Sequence, residues 1–175
     1  MKNAKYLILA AAIFIIDMHI KNRIEKWSDL HDGETKERKY ITLSKHHNRG
    51  LPMNIADSYQ DKVAKASLIV TLITTVFYFY VLRNEDKPLL KTGLSLQMGG
   101  ACSNTYDRLK RKYVVDYFSF NVKGKLGGIV FNLADMAIFG GSLLTTLNAI
   151  FVRSNIHCER KESCEAIPPM QPHQS

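Results

Sequence analysis

The chain has 175 residues, enough for one domain or one small membrane bundle, and carries a formal charge of +8 from 24 basic and 16 acidic residues. Mean hydropathy is −0.14, too low for a chain immersed throughout in lipid. No H-E-x-x-H, G-x-S-x-G or G-x-x-x-x-G-K-[ST] occurs, which argues against zinc proteases of that type, serine hydrolases built on a nucleophile elbow, and P-loop enzymes.

The apolar residues are clustered, and the clusters set the predicted elements. Residues 6–16 are uncharged and centre a first span over about residues 4–20. Lys2 and Lys5 before this run also suit a secretory signal, but Asp17-Met18-His19-Ile20-Lys21 stands where a small-residue cleavage site belongs. A retained helix is the better reading. Residues 21–65 form a charged connection whose centre, 39–44, has the β-branching and alternation of a strand, followed by a turn over 48–52. A small β-rich platform on the membrane surface is expected there. Spans follow at about residues 66–82, 90–106 and 127–152. A bilayer core asks for roughly 20 apolar residues, and only the second and fourth segments meet that unaided. The connection 83–91 is short and polar, and 107–125 is polar with apolar islands. From Arg153 onward the chain turns polar and carries Pro168, Pro169 and Pro172, which predicts a disordered cytoplasmic tail. The fold class expected is an all-α membrane protein: four transmembrane helices in one domain, with the β-rich platform between helices one and two.

The positive charge does not point to nucleic acid. Basic runs such as 36–39 and 108–112 flank apolar segments, so membrane lipids with anionic head groups are the expected partner. Cys102 lies in the third span as a small apolar residue, and Cys158 and Cys164 lack a second ligand pair for zinc. His46-His47 could bind a metal, but neighbours on one regular element seldom chelate together. Neither a metal nor a cofactor is expected.

The informative residues are acids in costly places. Asp135 is the only charge in the fourth apolar segment, and an ionisable group at membrane depth is a functional candidate by default. Asn132 lies three residues earlier, on the same face of a helix; a structural polar contact between helices is the plainer alternative. Asp116 closes the run Tyr113-Val114-Val115. A lone loop aspartate is usually a solvated charge, but two such acids brought together suggest a carboxyl pair sharing one proton. Asp17 with Lys21 is an i, i+4 pair at a helix end, and Asp107 with Arg108 reads as a structural ion pair. With four spans, all these residues and Asn104 gather at one membrane face, Asp135 about 13 Å deep at most. The two connections on that face hold 16 of the 24 Lys and Arg, which by charge alone would place it in the cytoplasm.

These residues in this order resemble the lipoprotein signal peptidase (signal peptidase II) family. The family pattern is an aspartate and then a lysine ending helix one, Asn-x-Gly in the first loop, a Gly-rich stretch ending G-N-x-x-D-R, V-V-D-[FMY], and F-N-x-A-D-x-x-I. Here they read Asp17…Lys21, Asn48-Arg49-Gly50, Gly99-Gly100…Asn104…Asp107-Arg108, Val114-Val115-Asp116-Tyr117 and Phe131-Asn132-Leu133-Ala134-Asp135-Met136-Ala137-Ile138. The resemblance spans residues 6–152 and departs at Ser103 and Lys112, where glycine is usual, and at Leu51-Pro52-Met53 after Asn-x-Gly. It implies a bacterial membrane peptidase that removes signal peptides from lipid-modified prolipoproteins just before the lipidated cysteine. Asp116 and Asp135 would be catalytic, facing outward with both termini in the cytoplasm. Asp17, Lys21, Asn48, Gly50, Asn104, Asp107, Arg108, Asn132 and Ala134 would bind substrate or support the site. A relative that binds lipidated peptides without cutting them, or a small transporter relaying protons through the aspartates, are the alternative readings.

Overall fold

The computed structural model describes residues 3–27, 35–37, 40–50, 59–84, 86–122 and 129–165, without the side chains of 35–37 and 153–165. Helix α1 spans Ala4–Glu25, α2 Gln60–Asn84, α3 Pro88–Lys110 and α4 Leu133–Glu165. Strands β1 (Thr35–Glu37), β2 (Ile41–Asn48) and β3 (Val114–Phe120) form one antiparallel sheet in that order.

Helix α3 packs against each of the other three and is the axis of the bundle. That position explains its weak hydropathy. Its buried residues include Ser95, Ser103, Asn104, Thr105 and Asp107, which meet protein rather than lipid. The outer helices show the opposite pattern, with Ile8, Ile73, Val76, Phe139 and Phe151 exposed on their surfaces. Two helical stretches, Gln60–Asn84 and Leu133–Val152, are long and apolar enough to cross a membrane by themselves. They are the second and fourth segments singled out by hydropathy.

Glycines let α3 approach its neighbours closely. A methyl group at Gly99 would lie 2.5 Å from the Ala10 carbonyl of α1, and one at Gly100 would run into the Ala134 carbonyl of α4. Lower down, Gly93 and Gly141 face each other across the α3–α4 seam. In lipid, where burial of apolar surface gives no advantage to helix contact, such backbone approach is what holds helices together. Hydroxyls add to it: Thr105 Oγ1 lies 2.7 Å from Ser67 Oγ and 2.8 Å from Thr71 Oγ1 of α2.

Three expectations need correction. The platform does not draw on the first connection alone, because β3 comes from residues 114–120 of the third. Val114-Val115-Asp116-Tyr117-Phe118 is a strand whose polar member hides the alternation, since four of its first five residues are buried. The fourth helix starts at Leu133 instead of residue 127: Phe131 is still extended and bridges Phe118 of β3. At the other end α4 runs on to Glu165, so residues 153–165 are helical, not disordered. They are polar but contain neither Pro nor Gly, and a polar helix end is tolerated once lipid is left behind. The prolines, and Leu51-Pro52-Met53, lie outside the described residues.

Candidate active site

The site forms where the end of α1, the end of α3, strand β3 and the start of α4 converge. The start of α4 shows why. The first backbone N–H groups of a helix lack partners within it. Here the Leu133 N–H donates to Tyr117 Oη (2.8 Å), that of Ala134 to Asp17 Oδ1 (3.2 Å) and that of Asp135 to Asn132 Oδ1 (2.8 Å). The Asn132 N–H in turn donates to Asp135 Oδ2 at 3.1 Å. Asn132 and Asp135 therefore make a reciprocal capping box. This corrects the expectation that both sit within a helix that starts at about residue 127: Asn132 caps α4, and Asp135 is in its first turn.

The capping residue also links the two acids. Asn132 Nδ2 donates to Asp116 Oδ1 at 2.6 Å while its backbone N–H holds Asp135. Two more amides complete the arrangement. Asn48 Nδ2 donates to Asp116 Oδ2 (3.0 Å), and Asn104 Nδ2 donates to Asp135 Oδ1 (2.8 Å). The Gly50 N–H fixes Asn48 by donating to its Oδ1 at 3.2 Å. Asp116 is 2 % exposed. Burial first, and the charge of Asp135 second, push its carboxyl up to about 7, against the pull of the two asparagine amides.

A second cluster lies behind the first. Lys21, Asp17 and Asp107 are fully buried, with Lys21 Nζ 2.8 Å from Asp17 Oδ2 and 3.1 Å from Asp107 Oδ2. The ammonium also donates to Ser103 Oγ (3.2 Å) and Asn104 Oδ1 (2.8 Å). Asn104 thus joins the clusters, accepting from Lys21 and donating to Asp135. Asp17 further accepts from Ser103 Oγ (2.6 Å) and Tyr117 Oη (3.1 Å). Burial and the Asp17 charge push the Tyr117 phenol above its ordinary range, so it stays a neutral donor.

Every site residue read from the sequence is at this junction, but one pairing differs. Asp107 does not pair with Arg108. Adjacent helical side chains do not face each other, and Asp107 instead meets Lys21 and, one turn on, Arg111 Nε at 3.1 Å. Arg108 donates weakly to the Asn104 carbonyl (3.5 Å), and its charge acts on Asp135, Asp116 and Asp107. It lines a cavity of about 600 Å³ between α2, α3 and α4, with Ser67, Val70, Thr71, Ala101 and Asn104. Ala134 is fully buried under the site against Gly100. Among the described residues, no three His, Cys, Asp or Glu converge as a metal site requires.

Sequence reasoning did not find Arg111, Tyr117 or the role of Ser103. For Arg111 an i, i+4 count from Asp107 was available as a signal; for Tyr117 no local pattern was. Two departures from the family pattern also find their place. Ser103 binds both Asp17 and Lys21. Lys112 adopts φ 71°, the left-handed conformation that favours glycine.

Comparison with known proteins identifies the family and the fold. The family model described as signal peptidase (SPase) II matches residues 9–151. The lipoprotein signal peptidase of Caldicellulosiruptor bescii is 32% identical over 146 residues, 81% of this chain and 87% of that protein. Its counterpart in Lactobacillus johnsonii is 31% identical over 157 residues, 86% of this chain and 95% of that one. Among solved structures, a bacterial membrane enzyme determined by the in meso method superposes with a TM-score of 0.74 at 23% identity, over 87% of this chain and 91% of that one. A second gives 0.70 at 22%, over 83% and 92%. These structures share the fold, and the match over residues 9–151 with relatives above 30% identity settles the family: the chain is a membrane peptidase of the signal peptidase II family.

Proposed function

We propose that this protein is an aspartic endopeptidase that cuts lipid-modified prolipoproteins immediately before the lipidated cysteine, with Asp116 and Asp135 as the catalytic pair. One observation carries the reading: the two acids are bridged by a single residue, Asn132, and neither has a cation within ion-pair distance among the described residues. A buried and a half-buried carboxyl so placed cannot both ionise without cost, so they share a proton near neutral pH. The ionised member takes a proton from a water held between them. The protonated member donates to the scissile carbonyl as the water adds. The tetrahedral diol collapses as the proton taken from water passes to the leaving amine, the C–N bond breaks, and one diol hydroxyl returns its proton to the member that had donated, so the pair is left singly protonated again. The titration belongs to the pair as a unit.

The remaining residues suit this chemistry. Asn48, Asn104 and Asn132 offer neutral donors, which orient the carboxylates without neutralising them as a cation would. The cavity between α2, α3 and α4 opens an apolar, hydroxyl-dotted path for the lipidated segment, with Arg108 at the end beside the acids. The test is direct: purified protein is incubated with a lipidated prolipoprotein. The expected result is two products whose masses sum to the substrate plus one water, with the cut before the modified cysteine. An intact lipidated substrate that binds but is never cut overturns the peptidase reading in favour of a binding protein.

The acids face outward in this reading, because a lipoprotein's modified cysteine is presented at the outer leaflet, whatever the Lys and Arg tally suggests. In a variant otherwise free of cysteine, Tyr40→Cys on the platform should react with an impermeant thiol reagent in intact cells. Asn84→Cys, at the far end of α2, should not. The reverse pattern contradicts both the sidedness and the substrate.

A further inference from the structure

Helix α3 carries its polar side chains in two ways. Ser95 and Thr105 are buried between helices with their hydroxyls engaged. Ser95 Oγ donates to the Lys91 carbonyl (2.6 Å) and lies 3.1 Å from Tyr78 Oη, and Thr105 Oγ1 meets Ser67 and Thr71 of α2. Gln97 is placed differently. It is half-buried and lines the cavity between α2, α3 and α4, together with Val70, Thr74, Ala101 and Ile138. The walls on either side of α3 belong to the two stretches long and apolar enough to cross a membrane. A spare polar group is costly in such surroundings, and where one is kept it marks function more often than packing.

The amide has a built seat. Gly141 of α4 makes room for its stem, since a methyl group there would lie 2.8 Å from Gln97 Cγ. Gln97 Nε2 donates to Thr145 Oγ1 at 3.1 Å and, less closely, to Ser142 Oγ at 3.4 Å. The two donors of the amide are thereby used, and its acceptor is left over: Oε1 accepts from no described residue. What the cavity offers at this point is one fixed hydrogen-bond acceptor on an otherwise apolar wall.

Its distance from the acids is set by the helix. Gln97 precedes Asn104, whose amide holds Asp135, by seven residues of α3, which is about 10 Å along the axis. Two parts of a lipid-modified prolipoprotein extend into the bilayer from the cut, the acyl chains and the signal segment, and only the peptide can carry a donor. A peptide backbone in lipid must satisfy its own N–H and C=O groups and is therefore helical; beside α3 it covers the same 10 Å or so in about seven residues.

We propose that the cavity takes the signal segment rather than the acyl chains, and that Gln97 is a specificity-determining residue accepting a hydrogen bond from a hydroxyl side chain about seven residues before the cut. The proposal rests on the peptidase reading above and names the part of the substrate that this cavity receives.

The test uses lipidated prolipoprotein peptides that differ only in carrying Thr or Val, two side chains of the same shape, at single positions from about four to eight residues before the cut. Full-length protein in lipid nanodiscs is assayed, and the readout is the ratio of kcat/KM, Thr over Val, for the parent and for Gln97→Met. Methionine keeps an unbranched stem over Gly141 and loses the amide. Each ratio is taken within one protein, so any loss of folded material cancels. The parent should favour Thr by about threefold to tenfold near the seventh position, the usual worth of one hydrogen bond. In Gln97→Met the ratio at that position should fall to one or below. A parent ratio of one or below at every position means that a part of the substrate without a donor fills the cavity, and overturns the proposal. A preference that survives Gln97→Met unchanged overturns it too, and leaves Gln97 as a link between α3 and α4. A parent protein that cuts none of the peptides is a different failure: the peptidase reading itself falls, and this inference with it.

Discussion

Four aspartates crowd one end of this bundle, and they are held in two ways. Asp17 and Asp107 are fully buried and paired with cations, Lys21 for both and Arg111 for the second. Asp116 is nearly as secluded and Asp135 is half-buried, yet their contacts are amides: Asn48, Asn104, Asn132 and a backbone N–H. A cation fixes a carboxylate in one charge state. An amide orients it and leaves its proton free to come and go. The first arrangement suits a strut and the second suits an acid–base pair, although sequence alone presents four similar aspartates.

The comparison breaks first at Lys21. Replacing it with Met keeps much of the volume and removes the charge, leaving Asp17 buried without any cation. Breaking a buried ion pair from one side costs about 3–5 kcal/mol, so most of the folded protein should be lost in thermal or denaturant unfolding. Adding Asp17→Asn should recover part of that loss. A Lys21→Met protein as stable as the parent would mean that the rear cluster is not a strut.

A smaller effect is expected from Gly100→Ala. Its methyl group would strike the Ala134 carbonyl and lie 2.9 Å from Ile138 Cγ1, pushing α3 away from the first turn of α4. Overpacking of this kind typically costs about 1–3 kcal/mol. Because Asp135 is in that turn, activity per folded molecule should fall as well. Unchanged stability and turnover would show that the α3–α4 seam gives easily and does not set the distance between the acids.

How far the sequence revealed this arrangement depended on the range of the interactions. The two acids stood out because each is out of place locally, and the Asp17–Lys21 spacing is a local signal too. Asn132 was noticed, but its part as a cap was not: Asn with an acid three residues on is a helix-start pattern, and the apolar residues on both sides of it hid the boundary. Strand β3 was taken for a connection because Asp116 interrupts its apolar pattern, and that interruption is the residue proposed as catalytic. Tyr117, which reaches both Asp17 and the Leu133 N–H, could be found only once β3 had been laid across the bundle. Long-range pairing of this kind leaves no trace in local spacing.

The acid held by amides should also carry its own signature in stability. Asp116 titrates near 7 in the folded protein, well above an ordinary carboxyl. The native state therefore binds more protons than the unfolded chain between about pH 4 and 7, and this group's contribution to stability falls as pH rises through that window. Asp116→Asn removes the dependence. The Tm of the variant relative to the parent should rise by a few degrees from pH 4 to 7 and level off above; a domain of this size shifts by about 2–4 °C per kcal/mol. A difference that stays flat with pH would mean that Asp116 is not held neutral. The mildest change expected is Lys112→Gly, which relieves a left-handed residue at the end of α3 and should stabilise by about 1 kcal/mol, with activity unaltered.

The central claim is that acids held by amides do the chemistry and acids held by cations support it. The most direct measurement is turnover of a lipidated prolipoprotein, per mole of folded protein, by the four variants Asp116→Asn, Asp135→Asn, Asp17→Asn and Asp107→Asn. The first two should stay folded and lose about a hundredfold to ten-thousandfold in rate, the usual cost of removing a group that relays the proton. The last two should unfold more readily, while the folded fraction keeps turnover within about tenfold of the parent, a shift of roughly 1.4 kcal/mol in the barrier. A folded Asp17→Asn or Asp107→Asn protein that is catalytically dead, or an active Asp116→Asn or Asp135→Asn protein, would contradict the account.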